Sequence, residues 1–270
     1  MTALQKKYYL LCSIVFLLLL GLLTGCTSHA SRPEHLKESD IIDVFESIDD
    51  TELETEPKKR VALTFDDGPN HYNKTKVVVD ELAKYGFHAT FFVVGNRIPG
   101  GDSVVYAAEH GNEIGIHGYT HAEGVYYDSC SQEKYEQELS KTAEAIHQVL
   151  PDYDIRLMRP VGGRISFERL QSCPYAVINW SVDSDDWNNK YFPGISDEDA
   201  EERVNRIVEN VMSQVKDGDI ILLHEIYEST VDATKIILQR LYEEGYEVVT
   251  VSELLGDDLA AGRLYHSKYD

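Results

Sequence analysis

Short apolar runs alternate with polar turns and with stretches of helical spacing along most of the chain. Runs at 61–65, 89–94, 113–117, 155–158, 176–182, 220–224 and 248–251 are rich in β-branched or aromatic residues and short enough to be buried strands, seven in all. Between them the apolar spacing becomes helical. After Ser131, positions Tyr135, Leu139, Ala143, Ile146 and Val149 recur until Pro151 stops the pattern. Ser196 with Asp199 resembles a cap, and Val204, Ile207, Val208, Val211 and Val215 form one face before Gly218. A third such stretch, 234–244, ends at Gly245. Strands alternating with helices predict parallel strands covered on the outside, hence an α/β sheet or barrel.

The polar residues that could carry chemistry fall where these strands end. The first strand runs into Asp66-Asp67-Gly68-Pro69, and two adjacent carboxylates need something positive nearby to offset their repulsion. His117 and His121 follow the third run, and on a helical turn their spacing would put both imidazoles on one face, able to share an ion. Arg159 follows the fourth run, Asp183 and Asp186 the fifth, and His224 closes the sixth. Taken singly, each has a bland explanation, a polar turn or a chance pair of histidines. In a parallel barrel, however, all carboxyl ends share one face, where enzymes of that architecture keep their chemistry.

Composition narrows the reading. A chain of 270 residues, 43% apolar, supports one sizeable core, and no repeat divides it. A formal charge of −22 argues against nucleic acid or any other polyanion as partner and favours a neutral substrate. At the start, Lys6-Lys7, an apolar run at 8–23 and Leu23-Thr24-Gly25-Cys26 describe an export signal. It resembles a bacterial lipoprotein signal, which implies cleavage before Cys26 and a lipid on its thiol. An uncleaved anchor is the alternative, because the run is close to the ~20 residues a spanning helix needs. Either choice leaves the rest outside the cytoplasm. Residues 26–57 are expected to form an acidic flexible tether, with ten acids against two bases in 27–57. A single catalytic domain is expected at 58–270. Cys130 and Cys173 are either a disulfide or two buried thiols, and spacing does not decide between them.

From about Lys59 to Leu255 the chain resembles the NodB-type polysaccharide deacetylases, the carbohydrate esterases of family four. Thr64-Phe65-Asp66-Asp67-Gly68-Pro69 matches the family's first motif, and His117-x-x-x-His121 the second. Arg159-Pro160-Val161-Gly162-Gly163 looks like the third, Asp183-Ser184-Asp185-Asp186-Trp187 the fourth and Leu222-Leu223-His224 the fifth, all in the family's order. The resemblance implies a distorted (β/α)7 barrel. It implies that Asp66 is the general base, and that Asp67, His117 and His121 hold one divalent metal ion, usually zinc. Arg159 is implied to orient Asp66, the Gly162 amide to stabilise the oxyanion, His224 to act as general acid and Asp186 to raise its pKa. Trp187 and Leu222 are implied to wall the acetyl pocket, against the simpler reading that they are core residues.

Three positions depart from the pattern. Gly118 lacks the hydroxyl usual after the first histidine, Gly162 stands where an aromatic is common, and Val161 replaces a proline. The expected activity is hydrolysis of N-acetyl groups from a surface glycan by a monomer, with peptidoglycan favoured. Chitin-type oligomers and poly-N-acetylglucosamine are alternatives, and O-acetyl xylan a weaker one. Two other classes compete: a zinc metallopeptidase or amidase, against which stand the Asp66 base in this form and the missing H-E-x-x-H helix of many peptidases, and an inactive metal-containing glycan-binding lipoprotein.

Overall fold

The expected alternation is visible in the computed structural model, which describes residues 58–70, 73–99, 101–122, 125–188 and 197–270, without the side chains of 197–199. The signal, Cys26, the tether and Ser196 lie outside the described residues. Among the described residues nine strands occur: β1 Lys59–Asp66, β2 Thr90–Val93, β3 Glu113–Ile116, β4 Leu157–Met158, β5 Ala176–Ile178, β6 Val182–Asp183, β7 Ile220–Leu223, β8 Tyr246–Val248 and β9 Leu264–Tyr265. Seven α-helices accompany them: α1 Lys74–Ala83, α2 Asp102–Glu109, α3 Gln132–Val149, α4 Phe167–Ser172, α5 Asp197–Met212, α6 Glu228–Glu243 and α7 Val251–Leu255. All belong to one compact unit, Thr55–Asp270.

The strands pair in the order β6-β7-β1-β2-β3-β4-β5-β9, every pairing between them parallel, and β8 joins the amino-terminal half of β1. The result is a curled half-barrel whose edge strands are β6 and β9, with β5 and β6 not paired to each other. The run at 176–182 is therefore two strands. Its break at Asn179-Trp180-Ser181 has a physical cause: Arg159 Nε donates to Ile178 O at 3.0 Å and Nη2 to Asn179 O at 2.9 Å. A guanidinium thus satisfies carbonyls that a continued ladder would have used.

Burial on both faces of β1 explains its unbroken apolar text. Val61, Leu63 and Phe65 join the core beneath the helices, while Ala62 belongs to an inner cluster with Phe92, Leu157, Ile178 and Ile220. Thr64 and Asp66 share the inner parity of Ala62, and both accept from the Arg159 guanidinium. At the other end α7 closes the inner cluster with Val251, Leu254 and Leu255. The run expected as a strand at 248–251 ends at Val248 because Thr250 and Glu253 form a capping box that starts α7. The helical spacing expected after Ser131 is α3, and Ser131 caps it, accepting from Lys134 N at 3.2 Å. The stretch at 234–244 starts earlier, at Glu228, since Thr230 and Val231 extend its buried face.

Candidate active site

Every strand whose end was singled out points its last residues at one cavity of about 440 Å³ at the carboxyl edge of the sheet. Asp66, Asp67, His117, His121, His224, Gly162, Trp187 and Leu222 all line it. Arg159 and Asp186 do not. They are buried, at 0% and 1% exposure, directly behind the groups they touch.

Asp67, His117 and His121 bring one ligand atom each to within 4.8 Å of one another. Asp67 Oδ1 lies 3.5 Å from His117 Nε2 and 3.1 Å from His121 Nε2, yet it is buried with no hydrogen-bond partner among the described residues. A buried carboxylate oxygen in that condition is costly unless a cation completes it. The donor set, two imidazoles and one carboxylate, suits a divalent metal of the zinc type with positions left open. His117 Nδ1 faces Arg159 O at 3.0 Å, so the carbonyl takes its N–H and leaves Nε2 with a free lone pair towards Asp67. Burial pushes His117 down to about 3, against the pull of Asp67, which keeps it in the neutral form a metal ligand needs.

The two histidines converge by a different route from the helical turn expected. Residues 117–121 form a loop after β3, turned by left-handed backbone at Gly118 (φ 87) and His121 (φ 46). Gly118 is required twice over, by that angle and because a Cβ there would come within 2.6 Å of the Tyr127 hydroxyl. The loop is held by Glu138 of α3, a residue sequence reasoning missed. Its Oε2 accepts from Tyr119 N at 2.6 Å and Thr120 N at 2.8 Å, and its Oε1 from Thr120 Oγ1 at 2.8 Å. Burial alone would raise this carboxyl, but the bonds from Lys134, Thr120 and Tyr119 bring it below its ordinary value. The available signal was an acid on the apolar face of a helix, between Tyr135 and Leu139.

Asp66 faces the same cavity with different partners. Its Oδ1 accepts from Arg159 Nη1 at 2.8 Å, and its Oδ2 stands 3.6 Å from His117 Nε2. Arg159 also donates to Thr64 Oγ1 at 2.7 Å, so the guanidinium is fixed between β1 and the end of β5. Burial raises Asp66 above the usual carboxylate range, with Arg159 and His224 pulling the other way. A carboxylate raised towards working pH is a better base than an ordinary one.

On the adjoining strand ends of β6 and β7, His224 Nδ1 meets Asp186 Oδ1 at 2.7 Å, while Asp186 Oδ2 accepts from His224 N at 2.7 Å and Thr230 Oγ1 at 2.8 Å. Burial alone would lower His224. Asp186, with Asp66 and Asp67 further off, overrides it and pushes the imidazole up to about 9. Glu225 beside it, also missed, is buried against Thr75 Oγ1 at 2.9 Å, and burial pushes it up to about 8.

Trp187 is 49% exposed, so it is no core residue, and its Nε1 donates to Asp183 Oδ1 at 3.3 Å. Leu222 is buried beneath the cavity. Cys130 and Cys173 are both free thiols, half-buried and buried.

Comparison with known proteins agrees with this geometry. The family model for polysaccharide deacetylases matches residues 54–176. The chain is 36% identical over 207 residues to a peptidoglycan-N-acetylglucosamine deacetylase of Bacillus cereus, covering 73% of this chain and 89% of that one. It is 34% identical over 200 residues to the peptidoglycan-N-acetylmuramic acid deacetylase PdaC of Bacillus subtilis, covering 73% of this chain. Of that relative's own length the match spans only 39%. A solved structure of the T48 deacetylase with substrate superposes with a TM-score of 0.67 at 32% identity, covering 77% of this chain and 96% of that one.

Proposed function

The chain belongs to the polysaccharide deacetylase family, and on that premise we propose that it hydrolyses N-acetyl groups of an extracellular glycan, with peptidoglycan N-acetylglucosamine the favoured substrate. One observation carries the proposal. A single cavity joins a three-ligand cluster, a buried carboxylate outside that cluster and a histidine that Asp186 keeps protonated. Naming both N-acetylglucosamine and N-acetylmuramic acid, the relatives support a wall glycan over chitin-type oligomers.

Asp67, His117 and His121 would hold the divalent ion, zinc by the chemistry of the donor set. Bound there, the ion would supply Lewis-acid polarisation of the acetamide carbonyl and more acidic water. Asp66, held by Arg159, takes the proton of the attacking water. The Gly162 amide donates to the oxyanion as it forms. His224 gives its proton to the leaving amine, the sugar nitrogen, and acetate departs. Trp187 and Leu222 enclose the acetyl methyl group.

Acetate release measured on peptidoglycan, N-acetylglucosamine oligomers and acetyl-xylan tests the reading. Peptidoglycan is expected to give the highest kcat/KM. Release of stem peptides without acetate would replace it with a peptidase, and glycan binding without any release would replace it with a receptor.

The acid's role has its own signature. His224 is protonated below about 9, so the alkaline limb of kcat/KM is expected near that pH. Asp186→Asn removes the main group raising the imidazole and should move that limb down by at least about one unit. Activity would then fall between neutral pH and 9, where the parent enzyme still holds its proton. A pH profile with an unmoved limb would take the acid role away from His224.

In this reading the enzyme acts outside the cell as a monomer on a lipid attached at Cys26. A tether of 31 residues, 27–57, could extend roughly 100 Å. Cys26→Ser is expected to move the protein from the membrane fraction to the medium or to leave it with an uncleaved signal. Membrane attachment with normal processing in that variant would refute the lipid.

A further inference from the structure

Beside Gly162 the cavity wall is built by a residue from another loop. Tyr126 lies between β3 and α3, half-buried, and lines the cavity. A Cβ placed on Gly162 would meet Tyr126 Cε1 at 3.4 Å and Cδ1 at 3.7 Å, so one edge of the ring rests on the bare backbone of the 161–163 turn. Any longer side chain at 162 would compete with the ring for that space, and the left-handed angle there (φ 61) disfavours one in any case.

The ring is held from a second side. The Arg164 guanidinium lies over it, 4.2 Å from the centroid, and Arg164 Nε donates to Asp128 Oδ2 at 2.8 Å. Asp128 is two residues beyond Tyr126, so this ion pair clips the loop to the turn and holds the guanidinium against one face of the ring. Tyr127, between them, is fully buried, and its carbonyl accepts from Arg169 Nη1 at 2.7 Å and Ser166 N at 3.2 Å. Tyr126 O in turn accepts from Ser129 N at 3.1 Å and Cys130 N at 2.9 Å, so a tight turn anchored by buried Tyr127 carries Tyr126 at the cavity wall.

We propose that Tyr126 is a substrate-binding residue that stacks on the sugar carrying the acetyl group, its ring fixed by Gly162 and Arg164. This rests on the deacetylase reading and adds to it which side chain recognises the pyranose. A flat aromatic surface suits the C–H face of a neutral pyranose, as the chain's acidity already demands of its substrate. The ring touches the sugar and not the reacting atoms, so its contact is equally strong before and during reaction and is read in KM. His121 is on the same loop but anchored separately through Glu138, so metal binding does not depend on Tyr126.

The test uses the zinc-loaded full chain with a β-1,4-linked N-acetylglucosamine pentamer and, as a sugar-free acetate, 4-nitrophenyl acetate. Tyr126→Ala is expected to raise KM for the pentamer about tenfold, the size of one lost aromatic contact, with kcat within about threefold. KM for the ester and bound zinc should not change, and Tyr126→Phe should restore the pentamer KM. An unchanged pentamer KM in Tyr126→Ala, or an equal rise with the ester, overturns the proposal. Pentamer affinity is also measured by titration without turnover, where Tyr126→Ala should again weaken it about tenfold. If the parent protein releases acetate from neither the pentamer nor peptidoglycan, the deacetylase reading fails alone, while the titration still decides whether Tyr126 binds sugar.

Discussion

Replacing Asp66 with Asn is expected to lower kcat by about 10²–10⁴-fold, the span of a general base, while the protein still binds one divalent ion. Both aspartates stand at similar distances from His117 Nε2, 3.6 Å for Asp66 and 3.5 Å for Asp67, so proximity alone does not separate base from ligand. Their other partners do. Asp66 Oδ1 is taken by Arg159, whereas Asp67 Oδ1 has no hydrogen-bond partner among the described residues and groups with both histidines. The asparagine oxygen can still accept from Arg159, and the guanidinium keeps its bonds to Thr64, Ile178 and Asn179, so the fold should hold. An amide, however, does not take up a proton at working pH. Acetate release and metal content measured on the same preparation decide the matter: loss of the ion together with activity would mean that Asp66 is itself a ligand.

How far the site could be read in advance depended on whether one short segment held the information. The Asp66-Asp67 pair, the two histidines, Arg159 and His224 each close a strand, and parallel pairing carries all of them to one edge. Strand ends are set by local apolar runs, so their convergence followed from alternation alone. The residues that were not legible act across long separations. Glu138 supports a loop 18 residues before it, and Tyr126 fills the space left by Gly162, 36 positions on. Such pairings depend on which loops meet, and no local pattern encodes that.

The same division explains the errors in the fold. The 176–182 run looks like one strand because Asn179 and Ser181 interrupt it weakly, yet Arg159 takes the carbonyls of Ile178 and Asn179 and splits the run into β5 and β6. Strand β9 has two residues, too few for a periodicity, and is defined by its pairing with β5. The helix at Val251 was within reach, since Thr250 and Glu253 spell a capping box. It was hidden by β-branched residues on either side that read equally well as strand.

Removing a ligand is expected to have the second large effect, and the two histidines should differ in how they show it. His121→Ala leaves two ligands and should weaken metal affinity by more than ~100-fold, beyond what loss of an outer supporting residue does, with turnover falling in step. His121 is half-exposed, with 32% of its side chain accessible, and its loop is held by Glu138, so the fold should lose little. The left-handed backbone at φ 46 strains alanine as it strains the parent histidine, by roughly 1 kcal/mol, and only glycine relieves it. His121→Gly should therefore match His121→Ala in metal loss while tolerating slightly more denaturant. His117→Ala should lose the ion and stability together, because His117 is buried at 2% and its removal leaves a cavity and an unpartnered Arg159 carbonyl. Ion content after dialysis, set beside urea unfolding with and without a chelator, separates these outcomes. Full occupancy in either His121 variant would take that residue out of the ligand set and leave the orphaned Asp67 oxygen without the explanation that the whole mechanism uses.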